Sequence, residues 1–172
     1  GIFNRDAAQR QAARYGRRSS SHRYGTNPCS EIILRDKQFC NLTEVVIRAE
    51  DTKHTLMKKM RLAAILGTYQ STLTNFKYLS KEWQKNCEEE RLLGVSITGQ
   101  WDNPELVHDP KILSDLRDEA VAVNKTYAKR FGINQSTSVT AVKPSGTVSQ
   151  LVDASSGMHP RHAPYYIRRI RI

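Results

Sequence analysis

Cysteine is scarce in this sequence, which has three in 172 residues, at positions 29, 40 and 87. No two of them form a Cys-x-x-Cys pair, the spacing typical of a tetrahedral zinc site. The pattern therefore excludes a zinc module, and we predict no metal ligands. Two of the cysteines nevertheless lie only eleven residues apart, and this placement needs a chemical reason.

Long apolar runs are also missing. No stretch approaches the roughly 20 residues that a membrane helix needs, and no signal peptide precedes the first charged residues. We therefore predict a cytoplasmic protein without a membrane partner. In that compartment thiols stay reduced, so a disulfide would be catalytic rather than structural. The first methionine is Met57, and we expect the chain to be a segment of a longer protein.

Acidic residues are few compared with basic ones, 17 against 27, which gives a net charge of +10. Residues 1–24 carry six arginines and one aspartate, and residues 161–172 carry four arginines and no acid. Such basic ends could bind nucleic acid phosphates. They could equally contact acidic surfaces of other protein segments or a small anionic substrate, so charge alone favours nucleic acid only weakly.

Hydrophobic residues at 38% and charged residues at 26% are typical of a globular domain. Asp109 followed by Pro110 is a strong helix start, and Gly132 would end that helix. Strands separated by helices of this length predict an α/β fold with parallel pairing. The predicted helices cover about 5–15, 51 or 52 through 73, 81 to about 92, and 110–131; the predicted strands cover 41–49, 94–99, 137–142 and 165–172.

The stretch Asn-Pro-Cys-Ser-Glu, residues 27–31, groups three chemically active side chains. Proline fixes its own φ and disfavours helix at the preceding residue, so we expect an extended segment. Alternate side chains then share a face, which would bring Asn27, Cys29 and Glu31 together. An amide, a thiol and a carboxylate can hold a hydroxyl group, attack it and move its proton. The alternative is a turn with a buried cysteine and polar neighbours at the surface.

A second stretch, residues 143–151, predicts a strand end, a turn of small residues and a helix. Backbone N–H groups at a helix start bind anions, and Gly146 would let a ligand approach closely. The hydroxyls of Ser145, Thr147 and Ser149 add donors. The stretch is not a Walker sequence, because its lysine precedes the turn. The alternative is an ordinary helix cap without a ligand.

Several motifs together closely resemble those of ribonucleotide reductase catalytic subunits. They are NPCSEI with CNL-x-EVV eleven residues on, LGTYQSTLT, EEERLLGVSITG, KPSGTVS, and GMHPR followed by YYIRR, and they span essentially all 172 residues in the family's order. The resemblance is nearest to the adenosylcobalamin-dependent class II, in its monomeric, triphosphate-reducing type and phage relatives. That assignment rests on the short interval from Cys29 to Cys40 and on Gly146. A class I diphosphate reductase is the alternative.

The resemblance implies a ten-stranded α/β barrel of the ribonucleotide reductase type, of which this chain would form the second half and the finger loop. Residues 1–172 would be a single segment of that catalytic barrel. A basic helix and loop over residues 1–26 would lead into the finger loop at residues 27–40. Residues 41–172 would form the barrel half, with a phosphate-binding turn at residues 143–149.

The resemblance also implies a role for each candidate residue. Cys29 matches the cysteine that becomes a thiyl radical and removes the 3′ hydrogen of the ribose. Glu31 matches the base that takes the 3′-hydroxyl proton, and Asn27 the amide that hydrogen-bonds the substrate hydroxyls. Cys40 matches one of two cysteines that reduce the 2′ carbon; its partner lies upstream in the family, so we expect that this chain alone cannot complete a turnover. The substrate phosphates would contact Ser145, Gly146, Thr147, Val148 and Ser149.

The implied partners are a ribonucleoside di- or triphosphate, the remaining parts of the reductase chain, and thioredoxin or a similar reductant. Adenosylcobalamin is the implied cofactor, although the sequence identifies no residue that binds it. Two alternatives stay open. One is a basic nucleic-acid-binding module, and the other is a split-gene piece that must join other chains before it has any activity.

Overall fold

Helices and strands both occur along the chain, as the sequence pattern predicts, but they come in groups: three strands follow the first helix, and two helices separate them from the fourth strand. The computed structural model describes residues 2–167, 169 and 171. Most predicted elements are confirmed within a few residues of their expected ends. The helices are α1 (Arg5–Ala13), α2 (Lys53–Gln70), α3 (Lys81–Glu90), α4 (Pro104–Val107), α5 (Pro110–Phe131) and α6 (Thr147–Leu151), and the strands are β1 (Tyr24–Thr26), β2 (Ile33–Arg35), β3 (Asn41–Val46) and β4 (Leu93–Thr98).

Local signals set the ends of the two long helices. At the start of α2, Thr52 and Thr55 form a capping box, in which each side chain accepts the backbone N–H of the other. At the start of α5, the side chain of Asp109 accepts the N–H of Lys111. Gly132 ends α5 in the left-handed conformation, with a φ of +67°.

The centre of the fold is a parallel strand pair. Strands β3 and β4 pair in register from Asn41 opposite Leu93 to Val46 opposite Thr98. Strand β4 is buried along almost its whole length, as expected for a parallel strand covered on both faces. The parallel α/β pairing predicted from the sequence is therefore confirmed.

The segment 137–142, predicted as a strand, lies along the other edge of β4. Val95 forms a parallel bridge with Thr140, and its N–H donates to the carbonyl of Val139 at 2.9 Å. The N–H of Leu93 also donates to the Ser138 carbonyl and the N–H of Ala141 to the Val95 carbonyl, but among the described residues only one regular bridge forms. The segment therefore occupies the position of a third strand without forming a continuous ladder, and the prediction is only partly correct.

Helices α2 and α5 pack against each other beside the strand pair, and apolar side chains from all four elements form the core. Asn124 of α5 is fully buried in this region. Its amide donates to the hydroxyls of Thr68 and Ser136, so the buried polar group is satisfied. The core includes Val45, Ile47, Leu56, Met60, Ala64, Leu93, Val95, Leu116, Ala120 and Val123.

The predicted final strand is not observed in the part of the chain that the structure describes. Residues 165–167 are irregular and exposed, whereas residues 168, 170 and 172 of that prediction lie outside the described residues. The four described strands form two separate two-stranded sheets and do not close a barrel. The α/β class is thus confirmed, while the barrel half and the segment boundaries remain predictions. None of the described helices is both long and apolar enough to span a bilayer.

A buried ion pair attaches the hairpin formed by β1 and β2 to the rest of the fold. Arg18 donates to the carboxylate of Glu90 at 2.8 Å, and both side chains are about 95% buried, with exposures of 4% and 5%. The same guanidinium donates to the Ile33 carbonyl at 2.7 Å and to the Gln38 side chain at 3.2 Å. It also lies over the ring of Tyr24, 4.5 Å from the centroid. Arg18 therefore contacts both hairpin strands and α3.

We expect Arg18→Met to destabilise the chain by about 3–5 kcal/mol, because the Glu90 carboxylate would stay buried without its partner. Urea denaturation measures the change in the free energy of unfolding. Lys85→Met is the matched control, since Lys85 and Glu89 form an exposed pair 3.9 Å apart and such pairs contribute little. Equal losses in the two variants would contradict the interpretation of Arg18 as a buried clamp.

Candidate active site

The hairpin of β1 and β2 is antiparallel, and its loop carries residues 27–32. The N–H of Ser30 donates to the carbonyl of Asn27 at 3.0 Å, which closes a turn with Pro28 in its second position. The side-chain oxygen of Asn27 accepts the N–H of Ile32 at 3.0 Å. The extended conformation predicted here is therefore wrong. An asparagine that precedes a proline favours a turn when its side-chain oxygen accepts a backbone N–H from the same loop.

The turn does not line the three side chains along one extended face, although the Asn27 amide stays close enough to the Glu31 carboxylate to lower its pKa. Cys29 is exposed at the tip of the loop. The side chain of Glu31 is only 7% exposed and lies against the protein. The oxygen of Asn27 is occupied by its own loop. The turn proposed as the alternative is thus correct for the backbone, but the cysteine in it is not buried.

The carboxylate of Glu31 reaches the second predicted stretch. Its Oε1 accepts a hydrogen bond from the Lys143 ammonium at 2.8 Å, across 112 residues of sequence. Burial alone would raise the pKa of Glu31, but the hydrogen bond from Lys143 and the nearby Asn27 amide outweigh it, so the pKa lies below its ordinary value. Glu31 is therefore ionised at neutral pH. The bond to Glu31 in turn raises the pKa of Lys143, with a smaller contribution from Cys29.

Cys40 lies between β2 and β3 and lines a cavity of about 270 Å³ together with Glu31 and Arg18. Burial raises the pKa of the Cys40 thiol to about 12; Arg18 lowers it and Glu31 raises it to smaller extents. The thiol is therefore protonated at neutral pH. Gly94 of β4 leaves room for it, because a Cβ there would lie 3.2 Å from Cys40 Sγ and 2.5 Å from Cδ2 of Leu42.

The predicted phosphate-binding turn leads into α6, which begins at Thr147. Gly146 has a φ of +53° and a ψ of −120°, a conformation that favours glycine. Gly146, Thr147 and Val148 are exposed. The sequence pattern therefore identified the turn and its glycine, and these three residues are the ones that a ligand can reach.

The two serines of the turn face inward. Ser145 Oγ lies 2.5 Å from Glu44 Oε1 of β3 and 2.5 Å from Thr98 Oγ1 of β4. Ser149 is fully buried, and its hydroxyl donates to the carbonyl of Gly146 at 2.7 Å. Both hydroxyls therefore stabilise the turn. The sequence alone, with several small hydroxyl residues close together, does not show whether these hydroxyls stabilise the turn or bind a ligand.

Two further cavities border these residues. One of about 560 Å³ is lined mainly by apolar side chains of β4, α2 and α5, with Glu31 at its wall. The other, of about 450 Å³, lies beside Gly146 and is lined by His159 and Arg161 among others. Arg161 already pairs with Asp153 at 3.1 Å. The hairpin loop and the turn thus each border a space of the size that holds a small ligand.

Three residues that organise the site, namely Lys143, Glu44 and Thr98, are not among those predicted from the sequence. Lys143 was visible as the residue just before the small-residue turn, but its partner could not be inferred because Glu31 is 112 positions away. Glu44 and Thr98 lie in strands whose buried polar side chains carry no local pattern. Their role depends on the register that brings β3 and β4 beside the turn.

Comparison with known proteins gives relatives that match this chain along most of its length. No family model matches the sequence. The chain is 33% identical to the adenosylcobalamin-dependent ribonucleoside-triphosphate reductase of Lactobacillus helveticus, over 99% of this chain and 27% of that protein. It is also 33% identical to the protein of the same name from Lactobacillus leichmannii, over 86% of this chain and 23% of the relative.

A solved structure agrees with these relatives. The crystal structure of a B-12-dependent, class II ribonucleotide reductase superposes with a TM-score of 0.63 at 29% identity, over 78% of this chain and 22% of the other. The chain spans about a quarter of the length of the curated relatives it matches. The resemblance inferred from the motifs is therefore confirmed: this chain matches a segment of the catalytic chain of a class II ribonucleotide reductase.

Proposed function

We propose that this chain is a catalytic-core segment of a ribonucleotide reductase, which reduces ribonucleotides to deoxyribonucleotides. The observation that carries the proposal is the bond between Glu31 and Lys143, which holds the finger-loop carboxylate against the start of the phosphate turn. Ribonucleotide reduction requires the reactive loop and the phosphate-binding turn to be neighbours, because binding the phosphates places the ribose beside the reactive side chains. The relatives named above support a ribonucleoside triphosphate as substrate.

Cys29 is the proposed radical residue. Its exposed thiol at the tip of a hairpin can meet a substrate without opening the core. As a thiyl radical it would take the hydrogen atom from the 3′ carbon of the ribose, which re-forms the S–H bond and leaves the radical on the substrate. Glu31, ionised in this structure, would take the 3′-hydroxyl proton, and the N–H groups of the Asn27 side-chain amide, which lie near that carboxylate, would hydrogen-bond the substrate hydroxyls.

Cys40 is the proposed source of reducing equivalents. The bond between the 2′ carbon and its oxygen would break, and the oxygen would leave as water with a proton from a thiol. Two electrons come from Cys40 and a second cysteine, which join as a disulfide. The protonated state of the Cys40 thiol, with its pKa raised to about 12 by burial, suits a proton donor. The second cysteine would come from another part of the reductase chain, and thioredoxin or a similar reductant would restore both thiols.

The turn at residues 143–149 is the proposed phosphate site. Its exposed residues Gly146, Thr147 and Val148 would offer backbone N–H groups and one hydroxyl to the phosphates. Ser145 and Ser149 contribute by holding the turn, since their hydroxyls are engaged inside the protein. The proposed barrel half over residues 41–172 would hold this turn in place.

The cofactor implied by the relatives is adenosylcobalamin. The exposed Cys29 fits such a group, because a bulky radical source can approach the loop tip from outside the core. When bound, the cofactor supplies the one-electron chemistry that amino-acid side chains lack. Cys29 is the residue that would face it, and we propose the cytoplasm as the setting, because the proposed dithiol must be regenerated in a reducing compartment.

We expect Cys29→Ala to lower ribonucleotide reduction by at least about 10³-fold in a complete reductase that carries this segment, because the proposed thiyl radical forms on the Cys29 sulfur. The rate of deoxyribonucleotide formation measures the effect. Cys87→Ser is the matched control, since Cys87 is buried in α3 and only accepts the Phe39 N–H at 3.3 Å. Wild-type turnover in Cys29→Ala would contradict the assignment of the radical residue.

We expect iodoacetamide to modify Cys29 on the order of 100-fold faster than Cys40 at pH 8. The thiolate is the reactive form, and burial raises the pKa of Cys40 to about 12. Peptide mass spectrometry over a time course separates the two sites. The modification rate of Cys40 should still be rising with pH above pH 9, because its titration is incomplete there. Comparable rates at pH 8 would mean that Cys40 is not held as a protonated thiol.

A further inference from the structure

The two carboxylate oxygens of Glu31 have different surroundings. Oε1 accepts the hydrogen bond from Lys143 at 2.8 Å. Oε2 is buried and accepts no hydrogen bond of normal geometry from the described residues, although the Asn27 side chain lies close enough to the carboxylate to lower its pKa. A buried carboxylate oxygen without a donor is costly, so this arrangement at a cavity wall points to a ligand that supplies the missing donor.

The cavities on either side of Glu31 indicate where such a donor could come from. Glu31 lines both the cavity of about 270 Å³ and the cavity of about 560 Å³. The larger one is lined mainly by apolar side chains, which offer few competing donors. Lys143 reaches the carboxylate from the segment that precedes the phosphate turn. Its ammonium thus occupies one oxygen and leaves the other available.

We propose that Lys143 is a positioning residue, which fixes Glu31 through Oε1 and leaves Oε2 as the atom that accepts the substrate hydroxyl proton. This inference rests on the proposed function, because it assigns the base role of Glu31 to one of its oxygens. In this step the substrate O–H bond breaks, the proton bonds to Oε2, and the electron pair stays on the substrate oxygen. The Lys143 ammonium keeps its own protons and donates to Oε1 before and after the transfer.

The ammonium also keeps Glu31 in the form that can accept a proton. Burial alone raises the pKa of this carboxyl group, and the Lys143 hydrogen bond is the largest of the effects that bring it below its ordinary value. Removing Lys143 would therefore raise the pKa of Glu31 and reduce the ionised fraction at low pH. The other charged or titratable groups near the pair or lining the two cavities are Cys29, Cys40, Tyr15, Arg17, Arg18, Glu44 and Arg117.

Lys143→Met tests the inference directly, because methionine keeps an unbranched stem but donates no hydrogen bond. In the 172-residue chain, ¹³C NMR of the Glu31 carboxylate should give a raised pKa in Lys143→Met and a value near the wild type in Lys143→Arg. Lys143→Gln, which keeps a donor without the charge, should lie between them and replaces the methionine variant if that variant does not fold. Lys37→Met is the control, since it removes only the distant pair with Glu82.

An unchanged Glu31 titration in folded Lys143→Met or Lys143→Gln would overturn the inference, whatever the protein reduces. In a complete reductase that carries this segment, Lys143→Met should lower kcat about 10- to 100-fold with a smaller change in KM. The acidic limb of the kcat/KM profile should move to higher pH, and Lys143→Arg should restore both.

The outcomes also separate this inference from the proposed function. A loss of activity that is equal at every pH, with the acidic limb in place, would mean a merely structural Lys143 and would overturn the inference. If the wild-type enzyme reduces no ribonucleotide while the Glu31 titration responds as expected, the proposed function fails and the contact between Lys143 and Glu31 stands.

Discussion

The ion pair between Glu31 and Lys143 joins the two parts of the chain on which the proposed chemistry depends. The hairpin loop has its own internal hydrogen bonds, but these fix only its shape. The position of the hairpin loop relative to the proposed phosphate turn requires a contact between these two segments. The 2.8 Å bond provides that contact at the tip, while Arg18 provides one at the base through Glu90. A hairpin held at both ends can keep a thiol and a carboxylate in a reproducible place, which orientation effects in catalysis require.

The basic composition does not by itself decide between the candidate functions. A net charge of +10 is compatible with nucleic acid binding when only the sequence is considered. Two of the cations are engaged by internal carboxylates: Arg18 pairs with Glu90, and Arg35 pairs with Glu89 at 2.7 Å. Each such pair removes one positive and one negative charge, so the remaining groups keep the same net charge of +10. The similarity to ribonucleotide reductases, rather than the ion pairs, weakens the hypothesis of a nucleic-acid-binding module.

The sequence predicts what local interactions determine. The capping box at Thr52 and the glycine at 132 lie beside the helix ends that they define, and those ends were predicted correctly. The segments at residues 137–142 and 165–172 have strand composition, but a strand needs a partner to complete its hydrogen bonds. In the described part of the chain, residues 137–142 make a few backbone hydrogen bonds to β4 but only one regular bridge.

The same distinction holds for the candidate site. The turn at Gly146 was predicted because glycine and small residues are a local signal for close approach. The inward direction of Ser145 was not predictable, because its partners Glu44 and Thr98 come from strands about 101 and 47 residues away. Likewise, the backbone at residues 27–31 forms a turn because Asn27 bonds its own loop, and this competes with the extended form that Pro28 alone would allow.

The two thiols of the candidate site are held in opposite environments, and Glu31 connects them. Cys29 is exposed, whereas Cys40 is half-buried and its thiol stays protonated because desolvation raises its pKa. The charge on Glu31 adds to the effect of burial on Cys40, since a nearby negative charge disfavours a thiolate. If Glu31 accepts a proton during the proposed reaction, that charge disappears, the pKa of Cys40 falls, and its thiol becomes a better proton donor. Proton uptake by Glu31 would then favour proton release from the Cys40 thiol. The positive charge of Arg18 also lowers the pKa of Cys40 and so favours the same release.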